Sequence, residues 1–165
     1  MSIERGRHAI WISKDKEKWT LIGVKMDSLA TNLNPDVNNS KDVTGAAYVD
    51  HNGFSPENDV EYKPNTTDSI YDPVMTIITT LAKDEETCTF YKIEAWLDIE
   101  VAKTTGTVSA TSTHAFMVPV IAVPQDAGGD TSAFTTNVNF YENGTRTQGS
   151  VTVADKQPTF TEASE

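Results

Sequence analysis

Along TCTFYKIEAWLDIEV, residues 87–101, apolar side chains fall on every second position. Tyr91, Ile93, Ala95, Leu97 and Ile99 share one side, and Lys92, Glu94, Trp96, Asp98 and Glu100 share the other. A period of two sends alternate residues to opposite faces of a pleated strand, so this stretch is expected to be β with one dry face. HAIWI (8–12) and HAFMVPVIAVP (114–124) are apolar runs rich in β-favouring residues and read as strands, with Pro119 marking an edge position or a bulge in the second. TLIGVKMDSLATNL (20–33) alternates well enough to predict a longer strand, preceded by a solvated turn at KDKEK (14–18).

The period changes once, at YDPVMTIITTLAKDEE (71–86). Val74, Ile77, Ile78 and Leu81 form one helical stripe, Asp72 is the expected N-cap, and Pro73 suits the first helical position because its missing N–H has no partner there. A helix of about ten residues with so narrow a stripe does not hold itself together, so it is expected to lie over a sheet. The segment from Asn34 to Asp68 has few large apolar groups, and a loop this long inside a compact domain is usually functional or disordered. Asn34–Val43 is expected to project as an arm, with short strands near Ala46–Val49 and Val60–Tyr62. The tail DKQPTFTEASE is expected to extend away from the core.

In FYENGTRTQGSV (140–151), Asn143 and Gly144 predict a two-residue type I′ hairpin turn, which needs positive φ at both central residues. Counting outward, Phe140 faces Thr147, Val138 faces Gly149, Thr136 faces Val151 and Phe134 faces Val153, all toward the core. The other side then receives Tyr141 with Arg146, Asn139 with Gln148, Asn137 with Ser150, and Thr135 with Thr152. Apart from Arg146 every one is neutral. Such a ladder is either the polar face of a threonine-rich sheet or the lining of a water-filled passage that offers no fixed charge.

At 165 residues the chain can bury one core, and a single domain is expected. Abundant threonine moves the expectation to mainly β, and a mean hydropathy of −0.40 with aromatic and aliphatic residues spread throughout is compatible with folding. A net charge of −11 makes the isolated subunit repel duplex DNA and anionic membranes. With Cys88 as the one cysteine there is no internal disulfide or cysteine-based zinc site, and without a long apolar run the chain reads as cytosolic when made.

Sharper chemistry finds little footing. His8, His51 and His114 have no partner at helical metal-ligand spacing, and NPDVNNSKD has calcium-like alternation but lacks the glycine and the terminal acid of an EF-hand loop. Gly128–Asp130 lacks the GK[ST] ending of a phosphate loop. The sequons at Asn65 and Asn143 have no secretory signal to act with, no nucleophile elbow occurs, and nothing local lowers the Cys88 pKa. The chain is expected not to be an enzyme and to need no cofactor or metal.

GGDTSAFTTNVNFYENGTRTQGSVTV (128–153) resembles the C-terminal hairpin of the major tail tube proteins of long, non-contractile-tailed bacteriophages. The matching positions are Gly129, Asp130, Thr131 and Phe134, then Asn143 and Gly144, then Arg146 and Gly149. Upstream, Ile70 and Tyr71 open a helix between strands as in that family, and the similarity runs over roughly Val43 to Val153. The resemblance implies a β-sandwich or half-barrel with one packed α-helix and a long projecting loop, about residues 31–45, in a domain spanning 1–154 followed by an extension, 155–165. It implies six-membered rings stacked into a tail tube that conducts phage DNA without binding it specifically, assembled in the host cytoplasm and ending in the virion. Expected partners are further copies, a tape measure protein, a tail terminator and baseplate or distal tail proteins, with no membrane binding. On that reading Glu94, Asp98, Glu100, Asn137, Asn139, Gln148 and Ser150 are lumen-lining candidates. Asn34, Pro35, Asp36, Val37, Asn38, Asn39, Lys41 and Asp42 are candidates for contact with the neighbouring ring. The alternatives are a tube subunit of a contractile or type VI-like injection system, and a carbohydrate-binding β-sandwich with Trp11, Trp19 and Trp96 as a stacking platform.

Overall fold

The computed structural model describes residues 5–23, 29–129, 131 and 133–164. It is mainly β, as expected, with one large antiparallel sheet and one substantial helix. The strands are β1 (His8–Ser13), β2 (Thr20–Leu21), β3 (Thr31–Asn32), β4 (Pro35–Lys41), β5 (Ala47–Phe54), β6 (Glu57–Tyr62), β7 (Thr89–Trp96), β8 (Ser109–Pro124), β9 (Gly128–Gly129), β10 (Phe134–Glu142), β11 (Thr147–Ala154) and β12 (Gln157–Glu162). Helices α1 (Tyr71–Thr80) and α2 (Glu85–Cys88) lie between β6 and β7.

The long strand expected over residues 20–33 is not one element. β2 and β3 are two residues each, and residues 24–28 between them lie outside the described residues. Helix α1 starts two residues earlier than its sequence signals suggest. Ile70 is the N-cap, so Asp72 sits inside the first turn, where its charge still favours the helix N-terminus. Val74 and Ile77 are buried, whereas Leu81 takes the left-handed C-cap conformation at φ 52° and turns out to solvent. α2 is a one-turn helix that the periodicity did not reveal; Asp84 caps it by accepting from the Thr87 N–H.

Both faces of the sheet centre are covered. In β1, Ile10 and Ile12 enter a cluster with α1, Phe90, Phe116, Val118, Val120, Val138 and Phe140, while Ala9 and Trp11 enter a second cluster with Trp19, Ile93, Ala95, Val151 and Val153. A strand buried on both sides loses the alternation of exposure, and β1 from Ala9 to Ser13 and β7 from Lys92 to Ala95 are buried at every position. Lys92 and Glu94, expected on a wet face, therefore point into the first cluster and are fully buried. The same packing removes the proposed aromatic platform: Trp11 and Trp19 are buried, and the part-exposed Trp96 stacks on His8 with ring centroids 4.8 Å apart.

The long strand β8 organises the rest. One edge pairs with β7; the other pairs first with β11, along Ser109–Met117, and then with β10, along Val120–Pro124. β10 and β11 thus run end to end along one edge of β8 and do not pair with each other. Asn143 and Gly144 are accordingly not a hairpin turn but part of a kink, in which residues 143–146 stand opposite Val118 and Pro119. Pro119 is the cause. It has no N–H to offer a ladder partner, its carbonyl accepts from the Asn143 N–H at 2.9 Å, and Gly144 at φ 145° lets the chain bulge past the ring. The two-residue reversal with positive φ at both positions occurs instead at Asp155 and Lys156, joining β11 to β12. The expected extension, 155–165, is thereby corrected: six of its residues form a strand, with Pro158 buried.

Candidate functional site

The kink changes which side chains share a face. Directly opposed residues of an antiparallel pair point the same way. Val138, Phe140 and Glu142 share a side with Pro124, Ala122 and Val120, whereas Thr147 shares the opposite side with Met117. Of the eight residues expected to point inward, Thr136, Val138, Phe140, Gly149, Val151 and Val153 are buried, Thr147 is part-buried and Phe134 is 41% exposed; the buried apolar ones line two different clusters, Val138 and Phe140 the first and Val151 and Val153 the second. The outward sets separate for the same reason. Asn137 and Asn139 lie on one face of the sheet, and Gln148 and Ser150 lie on the other.

A neutral polar surface exists all the same, built from strands the sequence pattern did not connect. Thr152 of β11 lies between Thr111 of β8 and Thr159 of β12, and Ser150 lies beside Thr161; all of these, and Gln148, are exposed. Asp98 closes the edge of this wall, accepting from the Thr111 N–H at 2.9 Å and from its hydroxyl at 3.1 Å. Those hydrogen bonds, the backbone one first, hold its carboxyl below the usual aspartate value. Glu100 is part-buried and pairs with Lys103 at 3.3 Å. Asn137 is tied to Asp126 at 2.7 Å and Asn139 to the Tyr141 hydroxyl at 3.2 Å.

The projecting loop is a β-hairpin, longer than expected. Among the described residues β4 and β5 pair only with each other, from Pro35 opposite Phe54 to Lys41 opposite Ala47. At its tip Asp42 accepts from the N–H groups of Thr44 and Ala46, and Gly45 supplies the positive φ. All the ring-contact candidates, Asn34 to Asp42, are exposed on β4, its approach and the tip; the short strand expected near Ala46–Val49 is the start of β5, which the sequence reading did not join to the arm. An inserted residue, Asn52, shifts the register so that Pro35, Val37 and Asn39 share a face with Phe54, His51 and Val49. His51 packs edge-to-face on Phe54 at 4.6 Å, yet Val37, Val49 and Phe54 remain 42%, 64% and 56% exposed. The opposite face carries Asp36, Asn38, Ser40 and Asp50 with Tyr48. An isolated two-stranded hairpin is marginal in water, and this one leaves an apolar face bare.

A third feature joins the arm to the sheet. Glu94 Oε1 lies 2.7 Å from His8 Nε2 and accepts from the Thr31 hydroxyl at 2.7 Å. Lys92 Nζ donates to Asn58 Oδ1 and Glu142 Oε2, both at 2.8 Å, and lies 3.5 Å from Glu94 Oε2. Arg146 forks onto Glu142 at 2.7 and 2.8 Å and stacks over Phe116 at 3.9 Å. Burial alone pushes both glutamates up. The hydrogen bond with His8 and the Lys92 charge outweigh it at Glu94, and Arg146 and Lys92 outweigh it at Glu142, so both carboxyls stay below the ordinary value. Glu94 is therefore corrected as a lumen candidate: it is a buried, neutralised anion. Cys88 is also buried, its thiol pushed up chiefly by desolvation.

The fold taken as a whole has a solved counterpart. The chain is similar to the anti-feeding prophage cap, the AFP tube terminating cap, with a TM-score of 0.54 and 10% identity over 99% of this chain and 93% of that one. The likeness is one of fold. No family model matches the sequence, and no curated protein matches it significantly.

Proposed function

We propose that the chain is a structural subunit of a phage-tail-like tube, in which identical copies join side by side into six-membered rings and the rings stack. The observation that carries this reading is the arm, an amphipathic hairpin whose apolar face finds no cover among the described residues of its own chain. Eight residues of β5 at about 3.3 Å each reach about 25 Å from the body, enough to cross onto an adjacent copy. Open sheet edges support the lateral contact: among the described residues β12 pairs only with β11, and an unpaired edge is a template for another strand. The fold likeness to a tube terminating cap adds support from outside the sequence.

The lumen in this reading is lined by the neutral wall of Thr111, Gln148, Ser150, Thr152, Thr159 and Thr161, flanked by Asp98 and Glu100. Asn137 and Asn139 belong to the opposite sheet face and lie outside that wall. Hydroxyl and amide groups offer DNA phosphates no cation to stick to, and a ring of six carries about −66 in all. Tape measure, terminator and baseplate proteins would be met at the ends and interior of such a tube. Negative-stain microscopy of the purified chain at high concentration, with a terminator supplied, tests the proposal: rings or filaments support it, and monodisperse globules under every condition sink it. A capping role is the second reading, favoured by the solved structure's own identity; single rings that bind the end of a preformed tube without elongating would select it. Within filaments, Ser150→Lys with Thr152→Lys should leave assembly intact and impair DNA passage.

A further inference from the structure

Among the described residues the arm is tied to the body at its root, and the apolar share of that root is small. β3 contributes two paired residues, Thr31 opposite Asn58 and Asn32 opposite Glu57, and Leu33 and Phe54 are each about half exposed. Such a short ladder is weak support for a long hairpin. The remaining ties are polar and continuous. The Asn58 amide donates to Ala30 O at 3.0 Å and to the Thr31 hydroxyl oxygen at 2.8 Å, Thr31 donates in turn to Glu94, and Asn58 Oδ1 takes the Lys92 ammonium. Lys92 passes the connection to Glu142, whose carboxylate holds Arg146 and whose backbone N–H donates to Pro56 O at 3.1 Å. The strand entering the arm, the strand leaving it and the kink beside Pro119 are thus wired to one buried centre.

Two carboxylates and a lysine buried together, with Arg146 part-buried at their edge, are a poor source of net stability, because apolar residues of the same volume often do as well or better. What they supply is direction, since every donor is satisfied in only one arrangement. We infer that Thr31, Asn58, Lys92, Glu94, Glu142 and Arg146 form a conformational lock that sets the angle of the arm on the body, and that the arm root opens without unfolding the sheet when the lock is broken. Glu94 Oε2 shows where the lock yields. It is buried with no hydrogen-bond donor, its Lys92 contact being an ion pair at 3.5 Å. This device belongs to the single chain and stands whether or not the chain builds a tube.

Thr31→Val tests it, because valine keeps the volume, leaves all four charges in place and removes only the bridge to β3. Hydrogen exchange on the unassembled full chain should show the amides of residues 31–33, 54, 55, 57 and 58 exchanging about tenfold faster while β1, β7 and β8 keep their protection. The paired replacement Lys92→Met with Glu94→Gln, which removes one charge of each sign, should loosen the same segments. Wild-type exchange rates at the root in both variants would overturn the inference. So would loss of protection in the core strands in step with the root, because the cluster would then be a fold element and not a lock.

Discussion

Replacing Lys92 by methionine isolates the electrostatics of the buried cluster, since the two side chains are similar in length and the site is closed to solvent. Lys92 lies 2.8 Å from Glu142 and 3.5 Å from Glu94, and the three side chains are 0%, 3% and 2% exposed. Without the ammonium, Glu142 keeps Arg146, but Glu94 keeps only His8 and Thr31 around a buried negative charge. Removing one partner of a buried pair costs about 3–5 kcal/mol, a large part of the roughly 5–15 kcal/mol that holds a domain folded. At a urea slope of about 2 kcal/mol/M this is a shift of about 2 M in the unfolding midpoint.

The pH dependence reverses as well. In the wild type the folded pKa values of Glu94 and Glu142 lie below their unfolded values, so their stabilisation is fully present above the unfolded glutamate pKa of about 4.3 and is lost as pH falls through the folded values. In Lys92→Met, desolvation, already the largest single influence on Glu94, is left without its main opposing charge. The folded pKa of Glu94 then rises above the unfolded one, and stability increases as pH falls from 7 toward 5. Urea titrations of both proteins at pH 7 and pH 5.5, with Lys92→Met/Glu94→Gln as the neutral control, measure this. An unfolding free energy at pH 7 within about 0.5 kcal/mol of wild type, or a variant that weakens on acidification over that range, refutes the assignment.

Two further outcomes follow from local geometry. A Cβ on Gly149 would sit 2.3 Å from Thr161 O and 2.6 Å from the Phe160 ring, so Gly149→Ala should displace β12 at a cost of about 1–3 kcal/mol and expose residues 157–162 to a carboxypeptidase; an intact C-terminus contradicts this. Val49→Lys, on the bare face of the arm, should change the melting free energy by no more than about 0.5 kcal/mol while abolishing stacked assemblies in the microscope; filaments of normal length would remove the arm from the assembly scheme.

The cluster also bears on how a chain with such an arm behaves before the arm meets a partner. A hairpin with a bare apolar face is an aggregation hazard in the free chain, and a rigid root limits the orientations in which that face can meet another molecule. Polar wiring suits this purpose because it is strong in one geometry and worthless in neighbouring ones.

What the sequence determined by itself is what depends on near neighbours along the chain. The period of two fixed the inward parity of Thr136, Val138 and Phe140 and of Val151 and Val153, the period of 3.6 located α1, and the run of small polar residues after Asn34 marked the arm. Pro119 announced its bulge because a missing N–H is a local property. Which strands pair was decided only in three dimensions. Asn143 and Gly144 carry the local signal for a reversal, but β8 is sixteen residues long and offers one edge to both β10 and β11, and its long ladder outweighs a two-residue turn. That choice moved Asn137 and Asn139 to one face and Gln148 and Ser150 to the other, and let Thr159 and Thr161 complete the polar wall. Burial on both sheet faces likewise turned Lys92 and Glu94 from an expected wet face into a buried lock, since period-two alternation reports that two faces differ and not which of them meets water.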